Sequence, residues 1–393
     1  MPAEDYNPRV PQKAAAKALT TFHWLTSGRA AFPVMLQAIE DANVSIRLEM
    51  YIYASGPLGE QFRNALVRAA QRGVQVRVML DAFGSFALPT SFWKPLIDTG
   101  GEFQWFNPLK LGRISYRNHR KLLVCDDAIA VFGGLNIAPE YDGDGVESGW
   151  LDLAMMVKGA LAAELGEAFD GSWNLARTEH RALLRFRKTR SRSTASAACW
   201  RILLGGPGFG YNYLKRTLAS DLAGARKVQI ICAYFLPTWR IRRELTRVVK
   251  RGGTVELILA GKSDVRLSQL ASQRLYRLLL RRGVRIYEYR PQILHAKLFI
   301  IDDQVYVGSS NLDTRSLNIN YELLVRITET EVTEQARQIF ADALKHSERI
   351  DRTVWRKSRS LWTKLLEEWA FFVLARVDPY MAGVRRPLVR GDR

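Results

Sequence analysis

His119-Arg120-Lys121-Leu122-Leu123-Val124-Cys125-Asp126 decides how the chain is read, because it returns as His295-Ala296-Lys297-Leu298-Phe299-Ile300-Ile301-Asp302. Both stretches hold His, Lys two places on and Asp seven places on, and two of the five His in the chain carry the full pattern. The echo continues downstream, where Gly133-Gly134-Leu135-Asn136 follows the first copy and Gly308-Ser309-Ser310-Asn311 the second. Self-similarity over so long a separation marks two copies of one unit. Each octapeptide alternates as a strand does, so His and Lys are expected on one face, imidazole beside ammonium.

Around the first copy, apolar periodicity and chain breakers predict strands over 45–53, 74–81, 102–106, 128–132 and 151–157. Helices are expected to end near 43 and to cover 59–73, 91–100 and 160–175. The second copy sits in the same series: strands over 228–234, 255–259, 284–289, 294–301, 305–308 and 322–327, helices over 241–252, 265–283 and 331–349. Strand and helix alternate, which predicts an α/β fold of mixed, mostly parallel sheets with helices on both faces and a site among the loops at the strand ends. The expected organisation is a first unit over 1–180, a basic linker over 181–198, a second unit over 199–350 and a tail over 351–393.

In that tail Trp355, Trp362 and Trp369 stand seven apart, with Leu361, Leu365, Leu366 and Phe372 filling the same side of a helix. An aromatic helix flanked by basic residues suits a bilayer interface, and packing on the second unit accounts for the period equally well. The six basic residues between Arg181 and Arg192 read equally as a solvated linker or as a patch against anionic lipid. Gly205-Gly206-Pro207-Gly208-Phe209-Gly210 lacks a GK[ST] ending and a preceding strand, so it reads as a plain turn.

With 393 residues, 47% of them hydrophobic and 10% aromatic, each unit can bury a core, which excludes a disordered chain. The excess of 58 Lys and Arg over 39 Asp and Glu gives +19 and favours anionic partners: phospholipid surfaces, nucleic acid or phosphorylated substrates. Three cysteines, Cys125, Cys199 and Cys232, form no CxxC pair, which points to a reducing compartment. The first twenty residues hold no apolar core of a signal peptide, and no run approaches about 18 apolar residues, so membrane contact is expected to be peripheral.

The chemistry follows from the residue types. Lys121 and Lys297, with the amides of Asn136 and Asn311, supply donors that neutralise a phosphodiester without a metal. One neutral imidazole can then attack phosphorus to give a phosphohistidine, while the second, protonated, donates to the departing alkoxide. Each imidazole needs an acceptor at its far nitrogen, and Asp152 and Glu322 are the candidates. No His-x-His or HExxH motif accompanies the pair, and neither metal nor cofactor is expected. His23, His180 and His346 lack a partnered Lys and read as surface or packing residues.

The duplicated HxKxxxxD with its trailing small residues and Asn resembles the phospholipase D superfamily. Leu48-Glu49-Met50-Tyr51-Ile52-Tyr53, Gly308-Ser309-Ser310-Asn311-Leu312-Asp313 and Arg315-Ser316-Leu317 with Asn320 and Glu322 resemble the bacterial cardiolipin synthase branch, in a short form without N-terminal membrane helices. The resemblance covers residues 20–345. It implies two tandem repeats with the active site between them, and His orientation by carboxylates at about Asp152 and Glu322. Asp126 and Asp302, the last members of the catalytic motifs, are implied to buttress the strand and its turn.

The implied reaction moves a phosphatidyl group from one phosphatidylglycerol to another through His119, with His295 as general acid and base, and releases glycerol. The implied partners are anionic phospholipids and a membrane surface, on the cytoplasmic inner face of the cell membrane; nucleic acid is not expected. Water as acceptor would make the enzyme a phospholipase D or nuclease, and an inactive membrane-binding scaffold is the reading from another class. From Asp302 to Gly308 the chain is one residue shorter than from Asp126 to Gly133, which predicts a differently shaped second turn.

Overall fold

The computed structural model describes residues 20–108, 116–177, 199–206 and 213–378. The expected linker over 181–198, His180 and the glycine-rich residues 207–210 lie outside them. The first lobe runs β1 (Thr21–Leu25), α1 (Gly28–Asp41), β2 (Ser45–Met50), α2 (Pro57–Gln71), β3 (Gln75–Asp81), α3 (Lys94–Asp98), β4 (Glu102–Phe106), β5 (Leu122–Cys125), β6 (Ile129–Gly133), β7 (Ala154–Lys158) and α4 (Ala160–Arg177). The second runs β8 (Trp200–Gly205), α5 (Tyr213–Gly224), β9 (Lys227–Cys232), α6 (Trp239–Lys250), β10 (Thr254–Ala260), α7 (Arg266–Arg281), β11 (Arg285–Tyr289), β12 (Lys297–Ile301), β13 (Gln304–Gly308), α8 (Thr314–Asn318), β14 (Glu322–Ile327), α9 (Thr330–Lys345) and β15 (Ser347–Arg349). Then follow α10 (Arg352–Ser358) and α11 (Leu361–Phe372).

Among the described residues the strands form two sheets, ordered β1-β7-β6-β5-β2-β3-β4 and β15-β11-β10-β9-β12-β13-β14-β8. This is the expected α/β fold with two tandem repeats of mixed sheet, but most neighbouring strands pair antiparallel instead of parallel. Parallel pairing is confined to β2-β3-β4 and β9-β10-β11, where helical or looped crossovers return the chain to the same edge. From the motif strand onward the pairing turns antiparallel: short hairpins join β5 to β6 and β12 to β13, and longer loops that carry site residues bring back β7 and β14. α2 stops because Gly73 takes the left-handed conformation that closes a helix, with φ of +90°.

The central strands are apolar on both faces because both are covered. In β12, Phe299 and Ile301 join the core under α5, α6 and α7, while Leu298 and Ile300 join the core under α9. The lobes are fused by a third core, in which Phe132, Met155 and Val157 of the first meet Val307, Leu323 and Val325 of the second. Such a shared core fixes one lobe against the other, the condition for a site built from both.

Several expected boundaries shift. Strands β1, β8 and β15 and helix α5 were not expected; β1, β8 and β15 are short strands at the sheet edges. The helix expected over 331–349 ends at Lys345, and the chain turns to add β15 to β11. The strands expected over 151–157 and 294–301 begin later, at Ala154 and Lys297, because Leu151 and Leu294 pair with each other across the lobe boundary.

The candidate active site between the lobes

The motif octapeptides are half loop and half strand. His119 precedes β5 and His295 precedes β12, so neither imidazole lies on its own sheet as alternation predicted. Each histidine segment instead crosses to the other lobe. His119 N donates to Tyr321 O at 2.9 Å and Tyr321 N to Arg117 O at 2.8 Å. On the opposite side His295 N donates to Leu151 O at 2.8 Å and Leu151 N to Ile293 O at 2.9 Å. The residue after each of these partners is a carboxylate: Glu322 and Asp152.

The result is a crossed pair of imidazole–carboxylate contacts. Nδ1 of His119 stands 3.1 Å from both oxygens of Glu322, and Nδ1 of His295 stands 2.6 Å from Oδ2 of Asp152. A carboxylate accepts only, so Nδ1 carries the hydrogen and each Nε2 is left with its lone pair. All four side chains are buried. Burial pushes His119 down to about 4 and also lowers His295, whose neighbouring Lys297 adds to the effect. Burial works against ionisation of Glu322, yet the facing His119 and the nearby Lys121 hold its pKa below the ordinary value. The resting imidazoles are therefore neutral, the form a nucleophile requires.

Two ammonium groups share the same space. Lys121 Nζ donates to His119 O at 2.7 Å and Lys297 Nζ to His295 O, the latter ammonium lying against the imidazole, 2.7 Å from Nδ1 and 3.1 Å from Nε2. Burial brings Lys121 down to about 7, helped by the charge of Lys297; Lys297 is lowered by burial too. Two cations held close in a dry site leave an electrostatic demand that one anion between them would satisfy.

Asn136 and Asn311 sit at equivalent loop positions and brace equivalent strands. Asn136 Oδ1 accepts from Ile52 N at 3.0 Å after β2, and Asn311 Oδ1 accepts from Tyr234 N at 3.3 Å after β9. One amide hydrogen of Asn136 is taken by the Tyr141 hydroxyl at 2.7 Å. Asp126 and Asp302 lie at the far ends of β5 and β12, away from the imidazoles. Asp126 accepts from the N–H groups of Asn43, Val44 and Ser45 at 2.8–2.9 Å, and Asp302 from those of Arg226 and Lys227 at 3.0 and 2.8 Å. Each motif Asp thus ties its turn to the start of the neighbouring strand. The turns differ as expected: three residues separate Cys125 from Ile129, with Asp126 and Asp127 both at positive φ, whereas two separate Ile301 from Gln304.

Residues 35–173 and 218–344 match the protein family described as "Cardiolipin synthase, PLD-like domain". The chain belongs to the phospholipase D superfamily, in its cardiolipin synthase branch. It is 32% identical over 364 residues to cardiolipin synthase 1 of Bacillus anthracis, covering 89% of this chain and 71% of that one. Against cardiolipin synthase A of Pseudomonas putida the identity is 30% over 336 residues, covering 83% and 69%. Phosphatidylserine synthase of Haemophilus influenzae Rd KW20 shares the fold, with a TM-score of 0.73 at 14% identity over 93% of this chain and 95% of that structure.

This phospholipase D-superfamily enzyme walls its site with residues that its motifs do not announce. Tyr51 packs edge-on to His119 with ring centres 4.8 Å apart, and Lys121 Nζ lies 4.9 Å from the Tyr51 ring centre. Around His295 stand Tyr141, whose hydroxyl is 3.5 Å from Nε2, and Trp150 and Tyr234. Ser309 Oγ donates to Glu322, where Gly134, its counterpart in the first lobe, leaves room for Asp152. Tyr51, Gly134 and Ser309 fall within the segments quoted for the resemblance and the repeat, but nothing in the spacing pointed at Tyr141, Trp150 or Tyr234. His23 and His346 are exposed, as the absence of a partnered Lys predicted.

Proposed function

We propose that the enzyme transfers a phosphatidyl group from one phosphatidylglycerol to the free hydroxyl of another, yielding cardiolipin and glycerol. The observation that carries this reading is the crossed pair of buried imidazole–carboxylate contacts, each with a buried ammonium group against its histidine. Nε2 of His119 attacks phosphorus and forms a P–N bond as the P–O bond to glycerol breaks; His295, charged once the anion is bound beside it, gives its proton to the leaving alkoxide. The second phosphatidylglycerol then enters. Its hydroxyl loses a proton to His295 and attacks phosphorus, the P–N bond breaks, and both imidazoles return to their starting forms. Lys121 and Lys297 hold the phosphate oxygens throughout, and one N–H each from Asn136 and Asn311 completes the cradle.

Asp152 and Glu322 act through the imidazoles, fixing tautomer and aim, while Asp126 and Asp302 support the turns. The aromatic walls limit water at phosphorus, which favours an alcohol acceptor. The reading places the enzyme on the inner face of the cell membrane, in contact with anionic phospholipid. It also takes residues 1–180 and 199–350 as the two repeats and 351–393 as an added tail. Purified protein incubated with labelled phosphatidylglycerol and EDTA, its products separated by thin-layer chromatography, tests the reaction. Cardiolipin with equimolar glycerol is expected. Phosphatidic acid would make the enzyme a hydrolase, and DNA cleavage without lipid turnover a nuclease.

A further inference from the structure

The tail helix α11 is mounted the wrong way round for a packing helix. It lies on α7, but the side it turns inward carries Glu367 and Ala370, both buried. Glu367 faces Arg359 at 3.4 Å, Glu368 pairs with Arg274, and Arg242 and Arg274 bracket the Phe371 ring at 5.8 and 5.7 Å. The opposite side, spaced at i, i+3, i+4, i+7 and i+10, carries Trp362, Leu365, Leu366, Trp369 and Phe372 into solvent. Trp362 is 77% exposed and Trp369 57%. An apolar stripe of this size on a soluble surface marks an interaction site.

We propose that α11 lies flat on an anionic lipid bilayer and sets the active-site lobe against the membrane. Charge selects the occupant. Arg352, Arg356, Lys357 and Lys364 are exposed around the stripe, and the chain carries +19, so a second copy is repelled where an anionic bilayer is attracted. Two tryptophans at the water boundary are the residue type that interfaces favour. The stripe is also tied to the site. Asp378, beyond α11, pairs with Arg315 of α8 at 2.5 Å, and the Arg315 carbonyl accepts from Asn320 N at 2.9 Å, two residues before Glu322. Exposed Trp239 opens α6, from which Arg242 reaches Phe371, so the apolar surface extends toward the loop after β9. The proposal rests on the reading of a lipid substrate only for what the docking serves.

Flotation on a sucrose gradient tests it with the full chain and vesicles of phosphatidylglycerol in phosphatidylcholine. The wild-type chain is expected to float with them, and the Trp362→Ser/Leu366→Ser/Trp369→Ser variant to bind at least about tenfold more weakly. Because the three side chains are exposed, its melting temperature should stay within a few degrees of wild type. Unchanged flotation of the variant overturns the proposal. So does loss of self-association in sedimentation without loss of vesicle binding, which would make the stripe a protein interface. Without any variant, vesicles brominated in the acyl chains should quench wild-type tryptophan fluorescence; no quenching overturns it as well. Flotation needs no turnover, so a chain that floats yet makes no cardiolipin refutes the reaction and leaves the docking surface standing.

Discussion

Gly134→Ala is a one-methyl test of whether the crossed carboxylates aim the imidazoles. A Cβ at Gly134 would lie 2.1 Å from Oδ1 of Asp152 and 2.7 Å from both its Cγ and Oδ2, so no rotation of the carboxylate relieves the clash. Asp152 is fully buried, accepts from Leu153 N at 2.8 Å and holds His295 Nδ1 at 2.6 Å. To regain ordinary contact it must retreat by more than an ångström, and the bond to His295 goes with it. A misplacement of about 1 Å costs roughly 10²-fold in rate, and loss of a carboxylate that fixes a catalytic imidazole costs about 10⁴-fold. The expected fall in kcat therefore lies between those bounds, about 3–5 kcal/mol of transition-state stabilisation. KM should change little, because no contact to the phosphate is removed.

The assay is cardiolipin formation from phosphatidylglycerol at saturating substrate, with melting temperature measured in parallel. The companion Asp152→Asn removes the same interaction directly. Two changes acting through one bond do not add, so the double variant should be no slower than Asp152→Asn alone. Wild-type kcat in a folded Gly134→Ala enzyme would refute the orienting role of Asp152, and additive losses would show that Gly134 acts elsewhere.

The free enzyme should show kcat/KM falling on the acid side toward about pH 4, where His119 protonates and ceases to be a nucleophile, and on the alkaline side above about pH 7, where Lys121 loses its charge. A profile flat from pH 5 to pH 9 would contradict the need for a charged Lys121. Lys297→Met should raise KM and lower kcat by at least ~10²-fold together, since the ammonium holds the phosphate before and during transfer; an effect on KM alone would confine it to binding. Asp126→Ala should act on stability, not chemistry: losing the acceptor of three backbone N–H groups costs about 1–3 kcal/mol, read as a lower melting temperature with kcat within a few-fold of wild type.

Much of this arrangement was legible in the sequence because duplication is visible without a fold. Two HxKxxxxD copies, each with a downstream Asn, singled out the two His–Lys pairs, and one carboxylate after each turn singled out the two residues that face their Nδ1 atoms. What the spacing could not carry is the docking of one lobe on the other. Asp152 follows the His119 motif in sequence yet serves His295, because the backbone of Leu151 pairs with Ile293 and His295. Alternation placed His119 and His295 on strands, but their N–H groups bond to the opposite lobe, a partner no local pattern records. The tail shows the same limit. Periodicity located an apolar stripe on α11, and only the burial of Glu367 and Ala370, with Glu367 facing Arg359, reveals that the stripe faces out. The share of parallel pairing within the mixed sheets was overestimated because short apolar strands read alike in parallel and antiparallel pairing.

The most direct test of a single centre built by both lobes is to trap its covalent state. Enzyme mixed with phosphatidylglycerol, quenched in alkali within one turnover and digested, should yield by mass spectrometry one phosphatidyl-modified peptide, the one containing His119. The Glu322→Gln enzyme should yield much less of it, because that carboxylate reaches His119 from the second lobe. An adduct on His295 would reverse the roles of the two imidazoles. Cardiolipin formed at full rate with neither histidine ever modified would contradict the account at its centre.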